Sequence, residues 1–386
     1  MDGISGYTLM HGDVEVAEMS LHDDTGTVHG IGDILDPAHL PVGVVHDGII
    51  DGESLRRWWR KRSIPTGRTG LETLLQALDI GCPTELLPGS MGLSLSDQYW
   101  IRGIGSDITW GDVNFFDNPF SGDIGDLLFG YTDGCGGCDP SSPDNTTEGN
   151  LKKRWEIIDG RRVLVKSSNC QYRQEAFNER VASIVMDALG VDHVTYDILW
   201  VNGVPYSSCE CFITTDTEYV TADRVCRIRK HRNDIPYYDH YVGCCSELGV
   251  DIVPDLDRMI VVDYLMMNND RHLNNFGLVR RADTLEWLGA APVYDTGASL
   301  GHTLNWDGMA GDPERECKPF ARTFEEEIDL VSSFDWVDID ALRGCMDTVE
   351  ESLQPIGKLS SERMAFILDL LGQRIDLLEH HVNRQR

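Results

Sequence analysis

Val14, Val16 and Met19 alternate with polar residues, Asp24-Thr25-Gly26 is a turn signal, and Val28 to Ile34 can return antiparallel. This predicts a β-hairpin near the start of the chain. Glu53 to Arg62, with Leu55, Trp58 and Trp59 on one side, and Leu71 to Leu78 predict two short helices separated by the breakers Pro65, Gly67 and Gly70. From Asp133 to Asn150 apolar residues almost vanish among Gly, Ser, Pro, Asp, Asn and Thr, which marks a linker or a functional loop.

Arg154 to Ile158 and Val163 to Val165 flank the turn Asp159-Gly160, an antiparallel hairpin pattern with Lys166 at its end. Ser168 and Asn169 precede a helical pattern in which Phe177, Val181, Ile184, Val185 and Ala188 are apolar, ended by Gly190. Two strands follow, Tyr196 to Val201 and Ser208 to Ile213, with the hairpin signal Asn202-Gly203 between them. Beyond Thr221 the pattern turns helical: Asp239 to Leu248, Asp255 to Met267, and a long amphipathic stretch from Ser361 to about His381. A small β-β-α-β-β sheet unit before a helical half gives an α+β fold in two lobes, with an N-terminal extension. The expected parts are residues 1–130, 131–220 and 221–386.

Composition narrows the function. With 41% hydrophobic residues the chain has the makings of a core. A formal charge of −31 disfavours whole-surface binding to DNA or to an anionic membrane. No apolar run reaches transmembrane length, and Met1-Asp2-Gly3 does not begin a signal peptide, so the expected location is the cytoplasm. Eleven cysteines, an odd number, read as reduced thiols rather than a disulfide framework. The alternative is zinc on Cys135 and Cys138 with Cys244 and Cys245, although adjacent cysteines make a poor second pair. Two basic runs, Arg56 to Arg62 and Arg224 to Arg232, read as solvated faces, the second with a lesser claim to dock an acidic partner or RNA.

The candidate chemistry lies in Asn268-Asn269-Asp270-Arg271-His272-Leu273-Asn274-Asn275 and in Pro292-Val293-Tyr294-Asp295-Thr296-Gly297. An Asp followed five residues later by an Asn suits phosphoryl transfer, where the carboxylate orients the attacking hydroxyl and the amide oxygen ligates Mg²⁺. Asp295, at a strand end, is a candidate second ligand. Each motif alone is generic. Together with the polar loop, the strand-borne Lys166 and a glutamate-bearing helix, they follow the order of parts in a two-lobed kinase.

The chain resembles the HipA-like kinases, bacterial relatives of the phosphatidylinositol-kinase branch of the kinase-like fold. The resemblance rests on Asp270-Arg271-His272 through Asn275, Tyr294-Asp295, Gln174 to Glu179, Cys209-Glu210-Cys211-Phe212 and Cys317-Lys318-Pro319-Phe320, and runs from about Gly130 to the C-terminus. It implies that residues 131–220 form the N-lobe and 221–386 the C-lobe. Asp270 would be the catalytic carboxylate, with His272 bracing its loop, and Asn275 and Asp295 would hold Mg²⁺. Lys166 would meet the ATP phosphates, with Lys152 or Lys153 as a further contact, and Glu210 to Phe212 would form the hinge facing adenine. Glu179 is favoured over Glu175 as the lysine partner because it matches the family's Asn-Glu pair, although helical spacing sets both roughly opposite the apolar stripe. Ser141 to Asn150 would be the phosphate loop, without a Gly-x-Gly-x-x-Gly pattern. Ser141, Ser142, Thr146 and Thr147 are its candidate self-acceptors.

The resemblance implies an ATP- and Mg²⁺-dependent Ser/Thr protein kinase of toxin type. Its expected partners are a protein substrate and a separate antitoxin chain, with no direct nucleic acid and no membrane. A small-molecule or lipid kinase of the same fold, and an inactive nucleotide-binding module, are the competing readings.

Overall fold

The alternating pattern at the start of the chain builds more sheet than a hairpin. Val14–His22 and Val28–Ile34 pair antiparallel, and Ile4–His11 joins the other side of Val14–His22. Tyr99–Gly103 then pairs with Ile4–His11, Tyr7 opposite Gly103 and His11 opposite Tyr99, which closes a four-stranded sheet. Helix Gly52–Lys61, capped by the Asp51 side chain, lays Leu55, Trp58 and Trp59 against Leu9, Val16 and Leu21. Each such side chain stabilises the unit by roughly 1.5–3 kcal/mol when fully buried. Helix Leu71–Leu78 follows a left-handed Gly70 (φ 91°). The computed structural model describes residues 3–46, 48–132, 137–169, 173–304, 316–354 and 359–385.

The second sheet has the order Lys153–Ile158, Arg161–Lys166, Val204–Glu210, Tyr196–Val201, antiparallel throughout. Its hairpins turn at Asp159-Gly160 and Asn202-Gly203, where all four residues have positive φ, as tight hairpin turns with right-handed strand twist require. The expected strand Ser208 to Ile213 instead spans Val204–Glu210. Helix Glu175–Leu189 ends at left-handed Gly190, and its Val181, Ile184 and Val185 pack into the same core as helices Val253–Met266 and Ser361–Gln385. Ser168 contributes to its start by accepting from Ala176 N–H, while the cap position itself is Gln174. A third sheet, Thr217–Thr221, Gly277–Arg281 and Trp287–Ala290, and helix Tyr237–Glu247 complete an α+β kinase-like fold.

The N-terminal unit is fastened to the rest by both apolar and ionic contacts. Met10, Trp100, Phe115 and Phe116 share a cluster with Ile213 and Tyr219, so the aromatic segment after Trp110 packs beside residues 211–213. Below it lies a closed ionic network: His11 Nε2 is 2.8 Å from Glu218 Oε2, Arg280 pairs with the other Glu218 oxygen, and Arg280 also donates to the Tyr99 hydroxyl at 3.2 Å. Burial would raise the Glu218 carboxyl, but Arg280 and His11 outweigh it and hold it at about 2.

Cys244 and Cys245 are wholly buried in an apolar cluster, with Cys244 Sγ 3.7 Å from His240 Nε2. Cys135 lies outside the described residues, and Cys138 is disulfide-bonded, which departs from the all-thiol expectation at that position. No helix among the described residues is long and apolar enough to cross a membrane.

Candidate active site

A cleft of about 790 Å³ opens between the second sheet, the 268–275 loop and the N-terminal unit. Strand register decides which lysines reach it. Lys153 and Lys166 are direct cross-strand partners, so their side chains share one face, whereas Lys152 is one residue out of phase. Lys153 and Lys166 line the cleft and Lys152 does not.

Lys166 Nζ donates to Glu179 Oε1 at 2.8 Å, to Asp295 Oδ1 at 3.0 Å and to the Tyr196 hydroxyl at 3.2 Å. Burial alone would push this ammonium down, but the Asp295 and Glu179 carboxylates hold it well above its ordinary value. Burial would likewise raise Asp295, yet Lys166 and Lys153 keep its carboxyl well below the usual range. Glu179 moves the other way, pushed up by burial against the pull of Lys166. Lys153, also buried, is pushed down to about 8 by desolvation despite Asp295. It has no hydrogen-bond partner among the described residues.

Helical spacing put Glu179 opposite the apolar stripe; it is 2% exposed because that side of the helix is covered by the sheet and by the strand end carrying Asp295. Glu175 is buried too, accepting from Asn169 N–H at 3.0 Å, and does not meet Lys166. Tyr196, which also accepts from Asp295 N–H at 3.2 Å, gave no signal beyond opening a strand.

Across the cleft, Asp270 is exposed, and its Oδ1 accepts from Lys318 Nζ at 3.1 Å. Lys318 belongs to the Cys317–Phe320 segment. Asn275 Nδ2 donates to the Asp270 carbonyl at 3.1 Å, which leaves its Oδ1 without a partner among the described residues. Asp295, ionised and in the left-handed region (φ 58°), offers a second hard oxygen. One amide oxygen and one carboxylate fit a Mg²⁺ that completes its shell with phosphates and water. Among the described residues no group of three or more His, Cys, Asp or Glu forms a metal cage, and such a Mg²⁺ needs none.

The loop is braced chiefly by a residue with no expected role. Arg271, fully buried, pairs with Asp263 at 2.8 Å and donates to the Asn275 and Tyr294 carbonyls, tying the Asp-x₄-Asn loop to the Tyr-Asp strand end. His272 contributes a weaker contact, its Nδ1 accepting from Asn274 N–H at 3.3 Å, and lines the cleft.

The strand ends at Glu210, with Cys211 N–H still donating to Arg162 O at 2.8 Å, and Cys211 and Phe212 line the cleft, Phe212 against Tyr219 and Tyr294. The Glu210 carboxylate is exposed, 3.6 Å from Arg161. In the 141–150 loop, Ser142 and Thr146 are buried, and the Thr146 hydroxyl donates to Leu93 O at 2.8 Å. Thr147 Oγ1 donates to Pro143 O and accepts from Trp155 Nε1. Of the four candidate self-acceptors, Ser142 is wholly buried and does not line the cleft, whereas Thr146 and Thr147 line it, Thr146 with its hydroxyl held by Leu93 O.

Residues 60–66 and 94–97 of the N-terminal unit form part of the cleft wall. The two basic runs also meet there: Lys61 and Arg227 share Asp223, at 3.1 and 2.9 Å. Arg62 is not solvated; it is buried, paired with Asp97 at 2.7 Å and bonded to the Gly92 and Tyr99 carbonyls.

A scan against protein-family models finds no match, and no curated protein matches the chain. Solved structures do. A chain from the Shewanella oneidensis MR-1 toxin–antitoxin system HipA and HipB with its operator DNA matches at a TM-score of 0.56 and 12% identity, covering 96% of this chain and 96% of its own. The Helicobacter pylori proinflammatory kinase CtkA matches at a TM-score of 0.49 and 17% identity, covering 62% of this chain and 93% of its own. The first likeness is one of fold, and it takes in the N-terminal unit as well as both lobes.

Proposed function

We propose that this chain is an ATP- and Mg²⁺-dependent serine/threonine protein kinase of the HipA-like type. The observation that carries it is the convergence on one cleft of a lysine held by a buried glutamate, an ionised strand-end Asp295, and the Asp270–Asn275 loop. Lys166 would hold the ATP phosphates, Asn275 and Asp295 the Mg²⁺, and residues 210–212 the adenine. The metal would neutralise charge on the phosphates. Asp270, the one exposed carboxylate of the set, would accept the hydroxyl proton of an incoming serine or threonine.

A cytoplasmic protein substrate is the reading we carry forward, and the likeness to a toxin–antitoxin chain supports a separate antitoxin partner. Because that complex includes operator DNA, the expectation of no direct nucleic-acid contact is not retained. Asp270→Ala should abolish transfer from γ-labelled ATP to protein while ATP with Mg²⁺ still raises the melting temperature. Undiminished labelling would remove Asp270 from the mechanism. A thermal shift with phosphate reaching no protein would favour the small-molecule kinase.

A further inference from the structure

Backbone amides can hold phosphates only if nothing else occupies them. Glu148, Gly149, Asn150 and Leu151 line the cleft, and none of their N–H groups makes a hydrogen bond among the described residues. The carbonyls of Thr147, Gly149 and Asn150 are taken, and by the N-terminal unit. Arg68 Nε donates to Gly149 O at 2.5 Å, Arg68 Nη2 to Thr147 O at 2.6 Å, and Thr69 N–H to Asn150 O at 3.0 Å. Thr69 is itself tied to Asn169, ahead of the glutamate helix, at 2.9 Å.

In a trans peptide the carbonyl of one residue and the N–H of the next point in opposite directions. Drawing the carbonyls of residues 147, 149 and 150 toward Arg68 and Thr69 therefore turns the N–H groups of Glu148, Asn150 and Leu151 the other way. Gly149 permits the shape: its φ is 94°, and a Cβ there would lie 2.5 Å from Lys153 Nζ. Arg68 is 3% exposed, and its charge helps to depress Lys153, so the two cations flank the loop.

We propose that the N-terminal unit completes the nucleotide site, with Arg68 and Thr69 as positioning residues that hold the loop carbonyls and so aim three amides at the ATP phosphates. This rests on the kinase reading above. It gives residues 1–130 a part in the chemistry, and couples whatever binds that unit to nucleotide affinity.

The test is calorimetry with two probes, ATP plus Mg²⁺ and adenosine, on the full chain and its Arg68→Gln variant, with hydrogen exchange of the 147–152 segment read in parallel. Loss of charge-assisted hydrogen bonds should weaken ATP by roughly 10- to 100-fold. Adenosine, which has no phosphates, should bind unchanged, and exchange at 147–152 should rise. Arg68→Lys, which keeps the buried charge but not the fork, should fall between, and serves where Arg68→Gln does not fold. ATP binding equal to that of the parent chain, or equal loss of ATP and adenosine, would overturn the inference while leaving the kinase reading in place. A parent chain that binds neither probe would overturn both.

Discussion

Two of the buried ionic networks in this molecule differ in what they leave open. Glu218, Arg280 and His11 form a closed set between the N-terminal unit and the third sheet, with the carboxylate at 1% side-chain exposure and both oxygens occupied. Lys166, Glu179 and Asp295 are as tightly paired, yet Asp295 keeps 29% side-chain exposure, faces the cleft, and lies near a lysine with no hydrogen-bond partner among the described residues. Desolvated ion pairs by themselves mark neither catalysis nor stability. An open side toward a cavity, with unused donors and acceptors around it, separates a binding site from a clamp.

Neutralising one carboxylate in each network breaks or sharpens that contrast. Glu218→Gln strands Arg280 in the interior and should cost roughly 3–5 kcal/mol in urea unfolding. Because the folded carboxyl titrates at about 2 against 4.5 when free, its stabilisation is present above about pH 4.5 and is lost as pH falls toward 2. The variant should lose that acid-side slope. Asp295→Asn should lower phosphotransfer by roughly 10²–10³-fold, the scale of a group aimed at developing charge. Its stability should stay within about 1 kcal/mol of the parent, because water in the cleft replaces the lost contact. If Asp295→Asn unfolds the chain as Glu218→Gln does, both networks are clamps.

A smaller effect concerns Lys153. Its ammonium, at about 8, is charged below that pH and neutral above it, and phosphates favour the charged form. ATP affinity should be flat below about pH 8 and then weaken by up to about tenfold per pH unit as binding has to take up a proton. Lys153→Met should flatten the profile in calorimetry across that range. Smallest of all is the exposed pair Lys318–Asp270, where Lys318→Ala should change unfolding free energy by about 0–1 kcal/mol.

The parts of this site set by local pattern were legible in the sequence. The Asp-Gly and Asn-Gly turns fixed the hairpins of the second sheet, and the order of Lys166, Glu179, Asp270, Asn275 and Asp295 told which side chains to bring together. Contacts between distant segments were not legible. Ile4–His11 shows no clean alternation, and its pairing with Tyr99–Gly103 is set by burial rather than by any nearby turn. A buried arginine looks like a solvated one in a string of letters: Arg62, Arg68 and Arg271 each earn their place through carbonyls and carboxylates far along the chain or across a loop. Lys152 and Lys153 were indistinguishable until the register with Lys166 was known.

On the ribosome, the clamp closes late. His11 must wait for Glu218, 207 positions later, and that pair for Arg280, another 62 positions on. Such separations make the closure slow, since chain entropy is lost before any contact rewards it. The N-terminal sheet and its helix can form early around their own core, but the ionic clamp on them is complete only once strand Gly277–Arg281 has emerged. Nascent chains halted between Thr221 and Gly277 carry an acidic Glu218 without its arginine, the kind of incomplete intermediate that chaperones hold. Assembly of the cleft wall thereby waits for roughly the first third of residues 221–386.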